Sequence, residues 1–250
     1  MCGSFKQVFV ICMLISGSVQ AQSGKKIIHQ HLIGYRLYHH LTFAKNWEWG
    51  LEIDERRYIF PDAQYQFVVR NHIQRTLPDG WTAGLGFTYF LQTLPQDPEV
   101  EDTYVRPELR PHQELKFKHK MKEHFSLSHR YRLEERFIRQ ADEHGNLQEG
   151  YDFNFRFRYQ LQAEVGLIKK ETRKGALGLK VFDEIHLNFG KQIIRNTFDQ
   201  NRIGGSLTYG LTKNIELEGG YFNWFQQRIS GDEYYNRNII RFTLHHYLSL

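Results

Sequence analysis

The sequence predicts an all-β fold: a transmembrane antiparallel up-and-down β-barrel of about 10–12 strands that follows a cleaved leader. Three observations lead there. Polar and apolar side chains alternate with a period of two over long stretches, most cleanly from Tyr151 to Val165. Such stretches run to about 13 residues, roughly 43 Å, or about 33 Å when tilted by ~40°, enough to cross an outer membrane's apolar band. A sandwich strand has only about 5 or 6 residues. Third, a short apolar segment near the N-terminus has the layout of an export signal.

In chain order, the leader comes first. Lys6 supplies a positive start, Val8 to Ile15 a short apolar run, and Val19-Gln20-Ala21 the small or aliphatic residues that a signal peptidase reads. Cleavage is expected after Ala21. The apolar run falls well short of the roughly 18–20 residues of a spanning helix, and Phe9-Val10-Ile11 ahead of Cys12 is a poor lipobox. Both cysteines, Cys2 and Cys12, lie in this segment, so the mature chain must be stabilised without disulfides. Residues 22–250 are expected to form one barrel domain.

The strand candidates follow. Segments 27–41, 47–59 and 64–76 come first, and then Trp81 to Leu91, where Trp81, Ala83, Leu85, Phe87, Tyr89 and Leu91 oppose Thr82, Gly84, Gly86 and Thr88. After 112–121, the stretch Phe125–Phe137 sets Phe125, Leu127, Tyr131, Leu133 and Phe137 against Ser126, Ser128, Arg130, Arg132, Glu134 and Arg136. Between Tyr151 and Val165 every aromatic and aliphatic residue falls on one face, a period that no helix can have. Segments 176–189, 201–211, 215–228 and 237–250 complete a set of eleven. Single-chain bacterial barrels use an even number of strands with both termini periplasmic. Either 27–41 does not span, leaving about ten strands, or one is hidden and the count is about twelve, the number favoured here.

The punctuation agrees. Pro61, Pro78, Pro95, Pro98, Pro107 and Pro111 fall outside these segments or at their ends. Short breaks (77–80, 120–123, 212–214) alternate with longer ones (93–107, 140–150, 189–200, 229–236), as short periplasmic turns alternate with external loops. The formal charge of +5 is spread among interleaved acids and bases, which fits lumen and loop decoration better than a nucleic-acid surface. Mean hydropathy below zero excludes a helical membrane protein. A soluble barrel turns its apolar face inward, whereas a membrane barrel turns it to lipid. Aromatic loading, strand length and the leader favour the second arrangement. Against it stand His129, Glu135, Asp183 and His246, which fall on the apolar face.

Phe242, Leu244, Leu248 and Leu250 alternate up to the last residue and resemble the signal read by the outer-membrane assembly machinery, which usually ends in Phe rather than Leu. Further characteristic stretches are His129-Arg130-Tyr131-Arg132-Leu133-Glu134-Glu135-Arg136, Arg156-Phe157-Arg158-Tyr159, and Asn201-Arg202-Ile203 before a late hairpin ending at Gly220-Tyr221. With these the chain resembles, over essentially all of 22–250, the uncharacterised outer-membrane barrels grouped as domain of unknown function 2490 (DUF2490). The resemblance implies a barrel in the outer membrane of a Gram-negative bacterium and supplies no function. Its expected partners are the membrane lipids and, during insertion, the barrel-assembly machinery.

The residues that could carry chemistry are the charges of the polar face: Arg130, Arg132, Glu134, Arg136, Arg156, Arg158, Glu164, Glu184, Arg202, Glu216, Glu218, Arg228 and Arg241. They could line a pore selective for anionic or zwitterionic solutes, or pair with one another and fill a closed lumen. Near-balanced signs favour pairing. Two function classes follow: a small-solute channel, or a non-conducting structural barrel whose loops 93–107 and 140–150 meet a partner or surface polymer. An outer-membrane lipid hydrolase is a third reading, with Glu184 and His186 on one face and Ser206 on a neighbouring strand, but no nucleophile motif surrounds Ser206. His39-His40 and His245-His246 are sequence neighbours that must point to opposite faces, and His29 with His31 lacks a third ligand. No metal and no cofactor are therefore expected.

Overall fold

A computed structural model describes residues 25–250; the expected leader and both cysteines lie outside the described residues. Eleven strands close into one barrel in sequence order: β1 (Lys26–Ala44), β2 (Trp47–Tyr58), β3 (Gln64–Thr76), β4 (Trp81–Leu94), β5 (Tyr104–Lys122), β6 (Phe125–Ala141), β7 (Leu147–Ile168), β8 (Leu177–Phe189), β9 (Phe198–Gly210), β10 (Ile215–Gln227) and β11 (Glu233–Ser249). No helix among the described residues is long and apolar enough to cross a membrane. The strand count lies within the expected range, and the parity problem has a direct solution. Strands that alternate in direction leave two like-directed strands side by side when an odd number closes. β1 and β11 accordingly pair in parallel from Lys26↔Glu233 to Thr42↔Ser249, so closure requires no twelfth strand. The same geometry puts the start of β1 and the end of β11 at opposite ends of the barrel, where an even count would have brought them together.

Connections 45–46, 77–80, 123–124, 169–176 and 211–214 lie at one end; 59–63, 95–103, 142–146, 190–197 and 228–232 lie at the other. The first group is the shorter apart from 169–176. The largest departure from the expected boundaries is β5, which begins at Tyr104 and carries Pro107 and Pro111 inside it. Pairing with β4 runs unbroken through both prolines, whereas pairing with β6 skips Arg110 and Pro111. The missing N–H groups thus fall on the β6 side, and the ladder tolerates them by locally opening there.

Alternation sorts the side chains as the pleat requires. Leu85, Val181, Leu207 and Phe242 project outward and are exposed, while Arg132, Glu134, Arg156, Arg158 and Glu184 project inward and are buried. The four outward polar residues each find a polar neighbour on an adjacent strand. His129 Nδ1 lies 2.9 Å from the Tyr159 hydroxyl, Gln113 donates to Glu135 at 3.1 Å, Asn201 donates to Asp183 at 2.6 Å, and His246 meets His39 across the parallel seam at 3.1 Å. Their register is therefore compatible with the outward face, since none of these four stands alone there.

Inside, an apolar cluster of Leu32, Tyr58, Tyr65, Phe222, Trp224 and Ile239 fills the side of the lumen nearest the seam. Another stretch of the wall, running from β1 to β6, is built differently. Cross-strand pairs His40↔Gly50, Gly50↔His72, His72↔Gly86, Gly86↔His112 and His112↔Glu134 form one row in which histidine and glycine alternate. Two of the imidazoles lean over a glycine neighbour: a Cβ on Gly50 would lie 2.4 Å from the His72 ring, and one on Gly86 2.5 Å from the His112 ring.

Candidate functional site

The lumen holds the candidate site, and its centre is a connected set of ion pairs. Strands β6, β7 and β8 bring Arg132, Arg158 and His186 into one cross-strand row, with Arg130, Gln160 and Glu184 in the next inward row. Glu184 accepts from Arg130 at 2.6 Å and from Arg158 at 2.8 and 3.0 Å. Glu134 accepts from Arg158 at 2.6 Å, with Arg132 at 3.8 Å and Arg156 at 3.9 Å. Arg132 donates to Glu114 at 2.7 Å, Arg136 to Glu108 at 2.5 and 3.0 Å, and Arg156 reaches Asp199 at 2.9 Å. Arginine suits these positions because its planar fork serves two carboxylates at once.

The remaining sequence-selected charges are dispersed. Glu164 and Glu218 lie toward the short-connection end, where Lys118 reaches Glu164 at 2.5 Å and Lys180 and His245 reach Glu218 at 2.8 and 3.2 Å. Glu216 is half-buried, and its side chain makes no hydrogen bond or ion pair among the described residues. Arg241 packs over the Phe222 ring, 4.9 Å from its centroid, and meets no carboxylate among the described residues. Arg228 lies just beyond β10 in the connection to β11 rather than on a strand, pairs with Glu233, and sits 5.0 Å over the Tyr235 ring. Arg202 shares the Gln200 Oε1 through two of its nitrogens, at 3.0 and 3.3 Å, and stacks on Trp224 at 4.1 Å.

Several members of the network escaped the sequence reading. Glu108 and Arg110 lie in the part of β5 that its prolines concealed, and Asp199 lies just ahead of the expected start of β9. Glu52, Asp54 and Arg56 on β2 were legible as an alternation in Trp47-Glu48-Trp49-Gly50-Leu51-Glu52-Ile53-Asp54, which keeps every acid on one face. Arg237 is fully buried and carries no carboxylate partner among the described residues. It donates to the side-chain oxygens of Gln30, Gln96 and Gln226 at 2.5–2.7 Å and stacks on Tyr235 at 4.0 Å.

Above the ion pairs, toward the end with the longer connections, a vestibule of about 1070 Å³ opens. Nine arginines line it against six carboxylates, and Gln66, Gln92, Gln200, Gln226 and Trp224 supply much of the rest of the wall. Its floor includes Arg158 and His186. The hydrolase constellation is not assembled: Gln200, not Ser206, stands opposite His186, while Ser206 stands opposite Lys180. Six residues of strand, about 20 Å, separate the two positions. No group of three or more His, Cys, Asp or Glu among the described residues converges on a metal site. The two histidine pairs do meet, but across the seam: His39 with His246 outside, and His40 Nε2 with His245 Nδ1 at 3.2 Å inside. Only the parallel closure brings these sequence-distant dyads together.

The family model described as protein of unknown function (DUF2490) matches residues 35–235. The chain belongs to this family. The match runs from Tyr35 in β1 to Tyr235 in β11, so every strand of this DUF2490 barrel contributes to it. No curated protein matches the chain. Among solved structures, that of the NanC porin in a rhombohedral crystal form is similar over 82% of this DUF2490 chain and 92% of the porin, with 14% identity and a TM-score of 0.47.

Proposed function

We propose that the chain is an outer-membrane barrel of a Gram-negative bacterium that holds its lumen closed at mid-height and admits small solutes only to the vestibule. The outward apolar face supports the membrane setting: Leu85, Val181, Leu207 and Phe242 each expose about half of their surface (61%, 49%, 51% and 51%). One observation carries the closed lumen. Glu134, Glu184, Arg158 and Arg237 project into the barrel from four different strands, yet expose 1%, 3%, 6% and 0%. A water-filled pore would leave such side chains wet. Groups of this kind act as a polar core, each ion's desolvation offset by two or more partners.

Conductance of the refolded full barrel in a planar lipid bilayer tests this. The wild type is expected to give no steady steps, and Glu134→Gln with Glu184→Gln to give flickering openings as the network loosens. Steady ohmic steps from the wild type would overturn the closed reading in favour of a small-solute channel.

A further inference from the structure

We propose that Arg202 and Trp224 form a subsite of the vestibule for the carboxylate of a small polyhydroxylated solute. The two residues are cross-strand partners on β9 and β10. Of the nine arginines that line the vestibule, eight reach a carboxylate. Arg56 pairs with Asp54, Arg70 with Glu52, Arg106 with Asp152 and Arg228 with Glu233; Arg110 and Arg136 share Glu108, and Arg156 and Arg158 belong to the central network. Arg202 alone has no carboxylate within 4 Å among the described residues, and its nitrogens converge on one glutamine oxygen. A guanidinium held this way has donor capacity left over, and its fork geometry matches a carboxylate.

The Trp224 side chain supplies the second, independent observation. Its ring is 2% exposed and lines the vestibule, while its Nε1 donor has no acceptor among the described residues. A buried indole N–H without a partner is uncommon, because it has given up its hydration with nothing in exchange. The Arg202 guanidinium lies over the same ring, 4.1 Å from its centroid. Around them the wall is amide-rich, with Gln66, Gln92, Gln200 and Gln226, groups that both donate to and accept from hydroxyls. The arginine excess of the vestibule draws an anion toward this wall. The inference rests on the proposed function only for access from the open end.

Titration calorimetry on the full barrel refolded in detergent tests it, with gluconate, sorbitol and inorganic phosphate as probes. Gluconate and sorbitol share the hydroxyl chain and differ at the carboxylate. Gluconate should bind saturably and at least ~10-fold more tightly than sorbitol, a difference of about 1.4 kcal/mol, and phosphate should not displace it at equal concentration. Arg202→Gln should weaken gluconate at least ~10-fold, and Trp224→Phe, which keeps the ring but removes the N–H, several-fold. Arg241→Gln, which removes a cation outside the vestibule lining, should leave it unchanged. Equal binding of sorbitol, displacement by phosphate, or undiminished binding by Arg202→Gln would each overturn the subsite. Should Arg202→Gln not fold, Arg202→Lys serves instead: it keeps the charge but not the fork, and unchanged binding would overturn the proposal equally. A barrel that conducted ions would still show the gluconate difference, so failure of the closed-lumen reading and failure of the subsite are separately visible.

Discussion

Replacing Glu134 by Gln removes one charge and almost no volume from the most buried carboxylate of the central network. Glu134 is 1% exposed and faces Arg158 at 2.6 Å, Arg132 at 3.8 Å and Arg156 at 3.9 Å. At an effective dielectric of about 20, two unit charges ~4 Å apart attract by about 4 kcal/mol, so three such contacts outweigh the several kcal/mol needed to desolvate the carboxylate. Breaking a buried pair from one side typically costs about 3–5 kcal/mol. Here each arginine keeps another carboxylate: Glu184 for Arg158, Glu114 for Arg132 and Asp199 for Arg156. The expected loss therefore sits at the lower end, about 3 kcal/mol. Reversible urea unfolding in lipid vesicles, followed by tryptophan fluorescence, measures it. A loss for Glu134→Gln below about 1 kcal/mol, the range of hydrated ion pairs, would refute a dry centre.

Four further outcomes are expected. Expressed without residues 1–21, the chain should form inclusion bodies and refold in detergent to a heat-modifiable β-rich species; a monomer soluble without detergent would defeat the membrane reading. Phe155 stacks outward on Phe189 at 5.3 Å, so Phe155→Arg should destabilise the barrel in lipid by about 2–4 kcal/mol near the midplane, while Arg156→Phe should cost about 3–5 kcal/mol by orphaning Asp199 inside. Cysteines at Tyr131 and Leu133 should react with a lipid-soluble probe and cysteines at Arg132 and Glu134 should resist it; the reverse pattern would invert the barrel's polarity. Gly86→Ala should cost about 1–3 kcal/mol by overpacking, because the His112 ring and the Asn71 carbonyl oxygen already stand at 2.5 and 2.6 Å from the position of a Cβ, and unfolding midpoints would check it.

The strands were legible because alternation is a strictly local signal: β3 coincides with its predicted span of 64–76, and β2, β8 and β10 differ by one residue at one end. What failed was inference from rules about ends. Pro107 and Pro111 argued against a strand that exists, because sequence alone does not say on which side of a strand a missing N–H falls. The parity rule argued for a twelfth strand because it assumes antiparallel closure. The network was partly legible for the same reason as the strands, since facing is local. Who meets whom was not. Arg156 reaches Asp199 on β9, two strands away, through the barrel's interior, and the Arg202–Trp224 contact depends on the β9–β10 register. Outward polar residues looked like errors of register because their partners lie on neighbouring strands, as Tyr159 does for His129.

The parallel seam bears on how the molecule can be handled as well as on how it closes. Circular permutation is usually easy because chain ends lie close together. Here a linker from Ser249 back to Lys26 would have to span the height of β1, whose 19 residues measure roughly 60 Å along the strand and about 45 Å along a tilted barrel axis. It could run only through a packed interior or down the outer face, so a short joining loop has no path. Two labels, one beside Lys26 and one beside Ser249, would instead mark opposite ends of the barrel in a single intact chain. In the membrane setting proposed above, those ends would answer to different membrane-impermeant probes.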